Sequence, residues 1–300
     1  MSSFERISKV FATASHLPFD NSSKLILMSD CHRGDGNWED TFAPNQNLYY
    51  SALYHYYLHD YIYIELGDGD ELWKNRKFLD ITKIHNHVFG LLNKFYEKDR
   101  LYLLYGNHDM VKRNKKWIKK NFFTYTNIQA NRIVPLCKGI KIHNGLLLDY
   151  TVTGDKILLL HGHQADFFND NLWLSSRFLV RYIWRPFAQF GMRDPTGAAM
   201  NYAKRDTIER KIIAWGQRTK QMTIAGHTHR PVFPDVGSPL YFNDGCCVHP
   251  YGITGIEIVN GEISLMKWSV KARQDGVLFT SKEVIAGPQK LTDYFSANHK

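Results

Sequence analysis

Seven side chains of metal-ligating type stand at the ends of five apolar runs in this 300-residue chain. Asp30 and His32 follow Lys24–Ser29, and Gly67-Asp68 follows Tyr61–Leu66. Gly106-Asn107-His108-Asp109 follows Leu101–Tyr105. His161-Gly162-His163 follows Lys156–Leu160, and Gly226-His227-Thr228-His229 follows Met222–Ala225. A strand needs no such ending for its own stability, and the glycines let the chain turn sharply and aim the next side chains at one point. Each corner alone reads equally well as an ordinary turn; the repetition is what points to a site. Imidazoles and hard oxygens together suit Mn²⁺, Fe²⁺/³⁺ or Zn²⁺ better than Ca²⁺. Asp30, His32, Asp68, Asn107, His161, His227 and His229 are too many for one tetrahedral zinc. They suit two divalent ions sharing a carboxylate, with Asp68 the natural bridge. Two ions roughly 3.5–4 Å apart can hold a hydroxide and clamp a phosphoryl group for in-line attack, with no serine or cysteine nucleophile.

The elements that must position these residues begin as an α/β pattern. Met1–Asp20 reads as a short amphipathic helix and a loop. Lys24–Ser29, Tyr61–Leu66 and Leu101–Tyr105 are buried strands by their continuous apolar runs. Asn45–Asp60, with Leu48, Ala52, Leu53, Tyr56 and Tyr57 at helical spacing, and Ile81–Lys98 are the intervening helices. This alternation predicts a parallel sheet with polar groups at its carboxyl edge, where Asp30, His32, Asp68 and Asn107 lie side by side. After Asn121 short strands follow, with a hairpin over Gly139–Val152 around Asn144-Gly145 and a later one over Ile253–Trp268 around Asn260-Gly261. Between them, residues 164–221 read as an inserted helical cap: Trp173, Phe178, Tyr182, Trp184, Phe187 and Phe190 are interleaved with Arg177, Arg181, Arg185 and Arg193. The aromatics are either the cap's own core or a face turned to a lipid or aromatic ligand. The whole chain reads as one domain over 1–300, with a peripheral tail over 272–300.

The formal charge is +9, which favours anionic partners without choosing among phosphate esters, nucleic acid and acidic membrane surfaces. Lys112, Arg113, Lys115, Lys116, Lys119 and Lys120 follow the Gly-Asn-His-Asp turn, either as a solvated helix face or as an electropositive rim. No run is long and apolar enough for an integral membrane span. Met1–Ser23 lacks a signal-peptide layout, and Cys31, Cys137, Cys246 and Cys247 form no Cys-x-x-Cys pair. Free thiols and a cytoplasmic location, with peripheral membrane contact through the cap left open, are the expectation.

Asp-x-His, Gly-Asp, Gly-Asn-His-Asp, His-Gly-His and Gly-His-Thr-His in this order resemble the calcineurin-like metallophosphoesterases. The motifs span residues 30 to 229, and their joint match is highly specific. The resemblance implies an α/β fold, a four-layer α/β/β/α sandwich with two mixed sheets and the site at their strand ends. It implies one metal on Asp30, His32, Asp68 and His229, and a second on Asp68, Asn107, His161 and His227. Manganese is the first expectation, with iron or zinc compatible. His108 would assist the leaving group, a step that needs an acid or positive charge, and Asp109 would orient His108. Arg33 and Arg230 flank the metal corners as phosphate contacts. His163 reads as a neighbour of the ligands that faces substrate. Asp35, Asp70 and Glu71 either fix ligands or substrate or lie in solvent, and His249 is structural.

Within the family, the cap, His-Gly-x-x-x-Asp and Gly-His-Thr-His-Arg-Pro are similar to the UDP-2,3-diacylglucosamine pyrophosphatase branch, whose helical lid accepts acyl chains. This chain departs from it in carrying His108 where the branch has Arg, and His163 where it has Asp. The implied activity is a dinuclear metal-dependent phosphohydrolase acting on a nucleotide- or lipid-linked phosphoester or pyrophosphate. The alternatives are a nucleic-acid phosphodiesterase, which predicts steep salt dependence, a Ser/Thr phosphoprotein phosphatase, and a non-catalytic binding scaffold that would purify without stoichiometric metal.

Overall fold

The computed structural model describes residues 1–128, 131–166, 173–184 and 202–299. Its core strands are β1 (Ser15–Phe19), β2 (Lys24–Met28), β3 (Ile62–Glu65), β4 (Leu101–Leu104), β7 (Ile142–His143), β8 (Gly145–Tyr150), β9 (Lys156–Leu160), β10 (Met222–Ala225), β11 (Tyr241–Asn243), β12 (Ile253–Val259), β13 (Glu262–Ala272) and β14 (Leu278–Lys290). They form a seven-stranded sheet, β14-β13-β12-β2-β3-β4-β7, and a five-stranded sheet, β1-β8-β9-β10-β11. Both are mixed: β2, β3, β4 and β7 run parallel while β12 is antiparallel to β2, and β8 is antiparallel to β9 in a sheet otherwise parallel. A separate hairpin joins β5 (Thr124–Asn127) to β6 (Arg132–Pro135).

The period of two along each strand sorts the core into three layers. Leu25 and Leu27 of β2, and Ile157 and Leu159 of β9, meet between the sheets. Ile26 and Met28 face the other way, onto α2 (Gln46–Leu58) and α4 (Asn86–Tyr96). Leu158 and Leu160 face α1 (Ser3–Thr13) and α7 (Tyr202–Thr219) through Ile7, Val10, Ile208, Ile212 and Trp215. The result is the expected α/β/β/α sandwich. It explains why these strands read as unbroken apolar runs, since both of their faces are buried.

Four expectations need correction. Gly139–Val152 is not a hairpin: β7 pairs with β4 in one sheet, and β8 pairs with β1 and β9 in the other. Asn144-Gly145 is instead where the chain crosses between sheets. Gly145 is required for space, because a Cβ there would lie 2.3 Å from Val10 Cγ1. Asn260-Gly261 does make its turn, with both residues at positive φ. The helix expected over Ile81–Lys98 is two, α3 (Phe78–Ile84) and α4, broken at His85, whose ring pairs with buried Asp40 at 3.1 Å. Of the expected cap, α7 is a wall of the five-stranded sheet rather than a lid, and α6 (Trp173–Leu179) leads into a π-helical turn over Val180–Trp184. Arg185, Phe187, Phe190 and Arg193 lie outside the described residues. The tail is not peripheral throughout: β14 extends the larger sheet, and α8 (Leu291–His299) buries Leu291, Tyr294 and Phe295 in the core between the sheets.

Candidate metal centre

The parallel order of β2, β3 and β4 sets three corners side by side, and their backbones lock together. Asp30 N–H donates to Gly67 O (3.1 Å), His32 N–H to Asp68 O (2.8 Å) and Arg33 N–H to Gly69 O (3.0 Å). From the second sheet, Gly226 N–H donates to His161 O at 3.0 Å, tying β9's corner to β10's. Asp30, His32, Asp68, His227 and His229 all have φ between 49° and 68°. Left-handed backbone is sparsely populated by such residues and clusters at sites where surrounding structure enforces it. The corner glycines serve space as much as angle: a Cβ on Gly106 would lie 2.2 Å from Asp68 Oδ1.

Side chains from both sheets therefore converge. Asp30 Oδ1 lies 3.0 Å from His229 Nε2, 3.6 Å from His32 Nε2 and 4.0 Å from His161 Nε2. Asp68 Oδ2 lies 3.1 Å from His161 Nε2 and 3.9 Å from His32 Nε2. Asp30, His32 and His229 form one group whose ligand atoms lie within 4.8 Å of one another, and Asp68, His161 and His227 form another; a third, His32, Glu71 and His108, adjoins the first. Asn107 Oδ1 and His227 Nε2 are buried without a hydrogen-bond partner. Buried polar atoms rarely stay unmatched, so these orphans fit a divalent cation. Burial alone would lower His32, His161 and His229, yet neighbouring carboxylates raise His32 well above the usual imidazole range, His161 to about 9 and His229 to about 10. The carboxylates therefore outweigh burial around these rings, and a metal held there would take the place of the imidazole protons.

Other contacts hold the ligand atoms in place. His161 Nδ1 donates to Leu66 O at 2.9 Å, which leaves Nε2 facing the centre. Asp30 Oδ2 accepts from His227 N–H at 2.8 Å and from Ser29 Oγ, whose oxygen also lies 2.8 Å from Asp244 Oδ1. Asp166, the acidic end of His-Gly-x-x-x-Asp, stands 3.8 Å from His227 Nε2 and 2.9 Å from Lys204 Nζ. Ser29 and Asp244 carry no motif that marks them; only the fold brings them here.

His108 sits beside the centre, and it is not Asp109 that orients it. Its Nδ1 donates to Glu71 at 2.9 Å, and its ring stacks on Trp73 at 4.2 Å. Glu71 in turn accepts the Trp73 N–H at 3.2 Å. His108 N–H donates to Asp68 Oδ1 at 2.8 Å. Asp109 is buried, accepting from Gly106 N–H (2.7 Å) and Lys112 Nζ (2.6 Å), so it belongs to the turn. Arg33 is corrected too. It is 1% exposed and spends its guanidinium on Glu65 and Asp70, both at 2.8 Å, so no phosphate can reach it. Its sequence position flanking a metal corner suggests a contact, but the next residue along a strand end points to the other face. Lys112 likewise leaves the basic rim for a buried pair with Asp70 at 2.6 Å. Arg230 remains half-exposed, pairing with Glu209. His163 is buried 5.5 Å from the His161 ring, held well below the usual imidazole range by burial and by the charge on His161 and His227.

The sequence profile of the calcineurin-like phosphoesterases matches residues 23–231, which spans both sets of corners. The chain belongs to this family. Membership supports metal-dependent phosphoester hydrolysis at a pair of divalent ions, in agreement with the two ligand groups. Among solved structures, Vps29 of Chaetomium thermophilum is similar at 7% identity and a TM-score of 0.39, covering 88% of this chain and 97% of that one. No curated protein matches significantly.

Proposed function

We propose that the protein is a phosphohydrolase of the dinuclear type, with one metal held by Asp30, His32, Asp68 and His229 and the other by Asp68, Asn107, His161 and His227. The observation that carries this reading is the convergence of seven buried or half-buried ligand side chains from both sheets, with Asn107 Oδ1 and His227 Nε2 making no hydrogen bond. When bound, such a pair lowers the pKa of a coordinated water and screens charge on phosphoryl oxygens. The remaining work falls to the chain. His108 stands at the edge of the centre, where a leaving oxygen would need a proton or hydrogen bond. Glu71 fixes the ring's Nδ1 and Trp73 its plane, so Nε2 is the atom left for substrate.

The substrate class follows from what lies next to His108. Arg181 donates to Leu72 O and Trp73 O, both at 2.7 Å, and Arg76 donates to Tyr182 Oη at 3.0 Å. The 173–184 segment thus docks on the loop that holds His108. A leaving group with some bulk would meet this aromatic, arginine-bearing surface, which supports a nucleotide- or lipid-linked pyrophosphate of the UDP-diacylglucosamine type. The test compares Mn²⁺-loaded enzyme on a UDP-linked diacylated sugar and on an aryl phosphodiester, beside metal analysis of the purified protein. UMP release far above the diester rate is the expected result. Diester turnover alone keeps the dinuclear site and discards the pyrophosphate reading, whereas protein that neither retains nor binds Mn²⁺, Fe or Zn overturns the site itself.

A further inference from the structure

Between Asp109 and Asp149 the chain has no acidic residue but nine Lys and Arg, as many as the whole formal excess of +9. Lys112 aside, this charge is not consumed internally. Arg113, Lys115, Lys116, Lys119 and Lys120 are exposed, and among the described residues none of them has an ion pair. Four of them sit on α5 (Lys115–Asn121), which turns Trp117 and Ile118 inward. Lys115 with Lys119, and Lys116 with Lys120, are like charges at i,i+4, an arrangement that weakens a helix by a few tenths of a kcal/mol per pair. A solvated surface gains nothing from that pattern and would do better with mixed signs.

The same acid-free stretch exposes two aliphatic side chains. Ile128 is 56% exposed and Ile133 is 74% exposed, at the facing ends of β5 and β6. The adjoining 173–184 segment adds Phe178 and Leu179, both exposed, and Arg113 lies over its Trp173 ring at 5.4 Å. A nucleic-acid groove uses cations and stacking rings, but branched aliphatic side chains gain little from a phosphate backbone. Exposed cations and protruding isoleucines carried by one acid-free stretch instead match an anionic bilayer, whose headgroups take the charge and whose acyl boundary takes the aliphatic tips.

We infer that residues 113–128 and 131–133 form a docking surface for an anionic lipid bilayer. The inference does not depend on catalysis, so it is tested with metal removed. The full chain is sedimented in EDTA with vesicles of phosphatidylcholine alone or with 30 mol% phosphatidylglycerol. Binding to the anionic vesicles only, weakening between low and physiological salt, is expected. Each Lys near such a surface is worth roughly fivefold in affinity, so joint substitution of Lys115, Lys116, Lys119 and Lys120 by Gln lowers binding on the order of a hundredfold or more. Ile128→Ser with Ile133→Ser lowers it by roughly tenfold or more at unchanged charge. Wild-type protein that stays in the supernatant overturns the inference, as does vesicle binding that the four Gln substitutions leave intact. Tighter binding to duplex DNA than to anionic vesicles, insensitive to the isoleucine changes, overturns it in favour of nucleic acid.

Discussion

Two clusters of buried charge grow from the same three strand ends and resolve their charge in opposite ways. Arg33, Glu65, Asp70, Asp109 and Lys112 form a closed cluster, in which the chain's own cations meet its carboxylates at 2.6–2.8 Å. Asp30, His32, Asp68, Asn107, His161, His227 and His229 form an open one, whose carboxylates face imidazoles and an amide and in which Asn107 Oδ1 and His227 Nε2 have no hydrogen bond. Buried carboxylates require a cation in either place. Where an arginine and a lysine supply it, the cluster is structural. Where only imidazoles and an amide face the carboxylates, a metal can replace the imidazole protons and the site can do chemistry.

The sharpest test of that contrast separates activity from stability. Asp68→Asn and Asn107→Ala are expected to lower turnover at least about a thousandfold, about 4 kcal/mol at one decade per 1.36 kcal/mol. Thermal midpoints of the metal-free proteins should stay close to wild type. Wild-type rates with metal bound would show that the open cluster is assigned wrongly. Arg33→Met reverses the pattern. It strands Glu65 and Asp70 in the interior and should cost about 3–5 kcal/mol in urea unfolding. A variant that unfolds like wild type would dissolve the distinction between the clusters.

The contrast also marks what the sequence makes legible. The open cluster shows itself because metal chemistry needs particular residue types after a strand and a glycine, and five such corners repeat. The layers follow from the apolar runs. The closed cluster is hidden, because Arg33 and Asp70 stand one or two residues from the proposed ligands His32 and Asp68 and nothing local says which face each takes. The Asn144-Gly145 crossing was hidden for a related reason: a turn signal reports local backbone preference, whereas the steric demand of Val10 on Gly145 is long-range. Ser29 and Asp244, 215 residues apart, meet only through the sheet.

Between the clusters stands Glu71, which orders His108 and lies 3.5 Å from His32 Nδ1, the ring nitrogen turned away from Asp30. Glu71→Gln should lower kcat roughly 10–100-fold. Metal content should be unchanged, and the loss should not add to that of His108→Gln, because both changes break one unit. A drop in metal stoichiometry, or full additivity, would move Glu71 into the metal centre instead.

The smallest effect is the pH dependence of the closed cluster. Burial opposes ionisation of Asp70, but the Arg33 and Lys112 charges overcome it and hold the carboxyl down at about 2. An unfolded-state Asp titrates near 3.9, so this group contributes stability above about pH 4 and loses it as the pH falls toward 2, by about 2.6 kcal/mol in all. Urea midpoints at pH 5, 4 and 3 should therefore decline, and the decline should be shallower in Asp70→Asn, which starts lower but has no carboxyl to protonate. An unchanged slope in that variant would place the acid-sensitive group in the open cluster, whose carboxylates Asp30 and Asp68 are also held down by charge. Excess Mn²⁺ would then move the slope, which it cannot do for a cluster already closed by its own arginine and lysine.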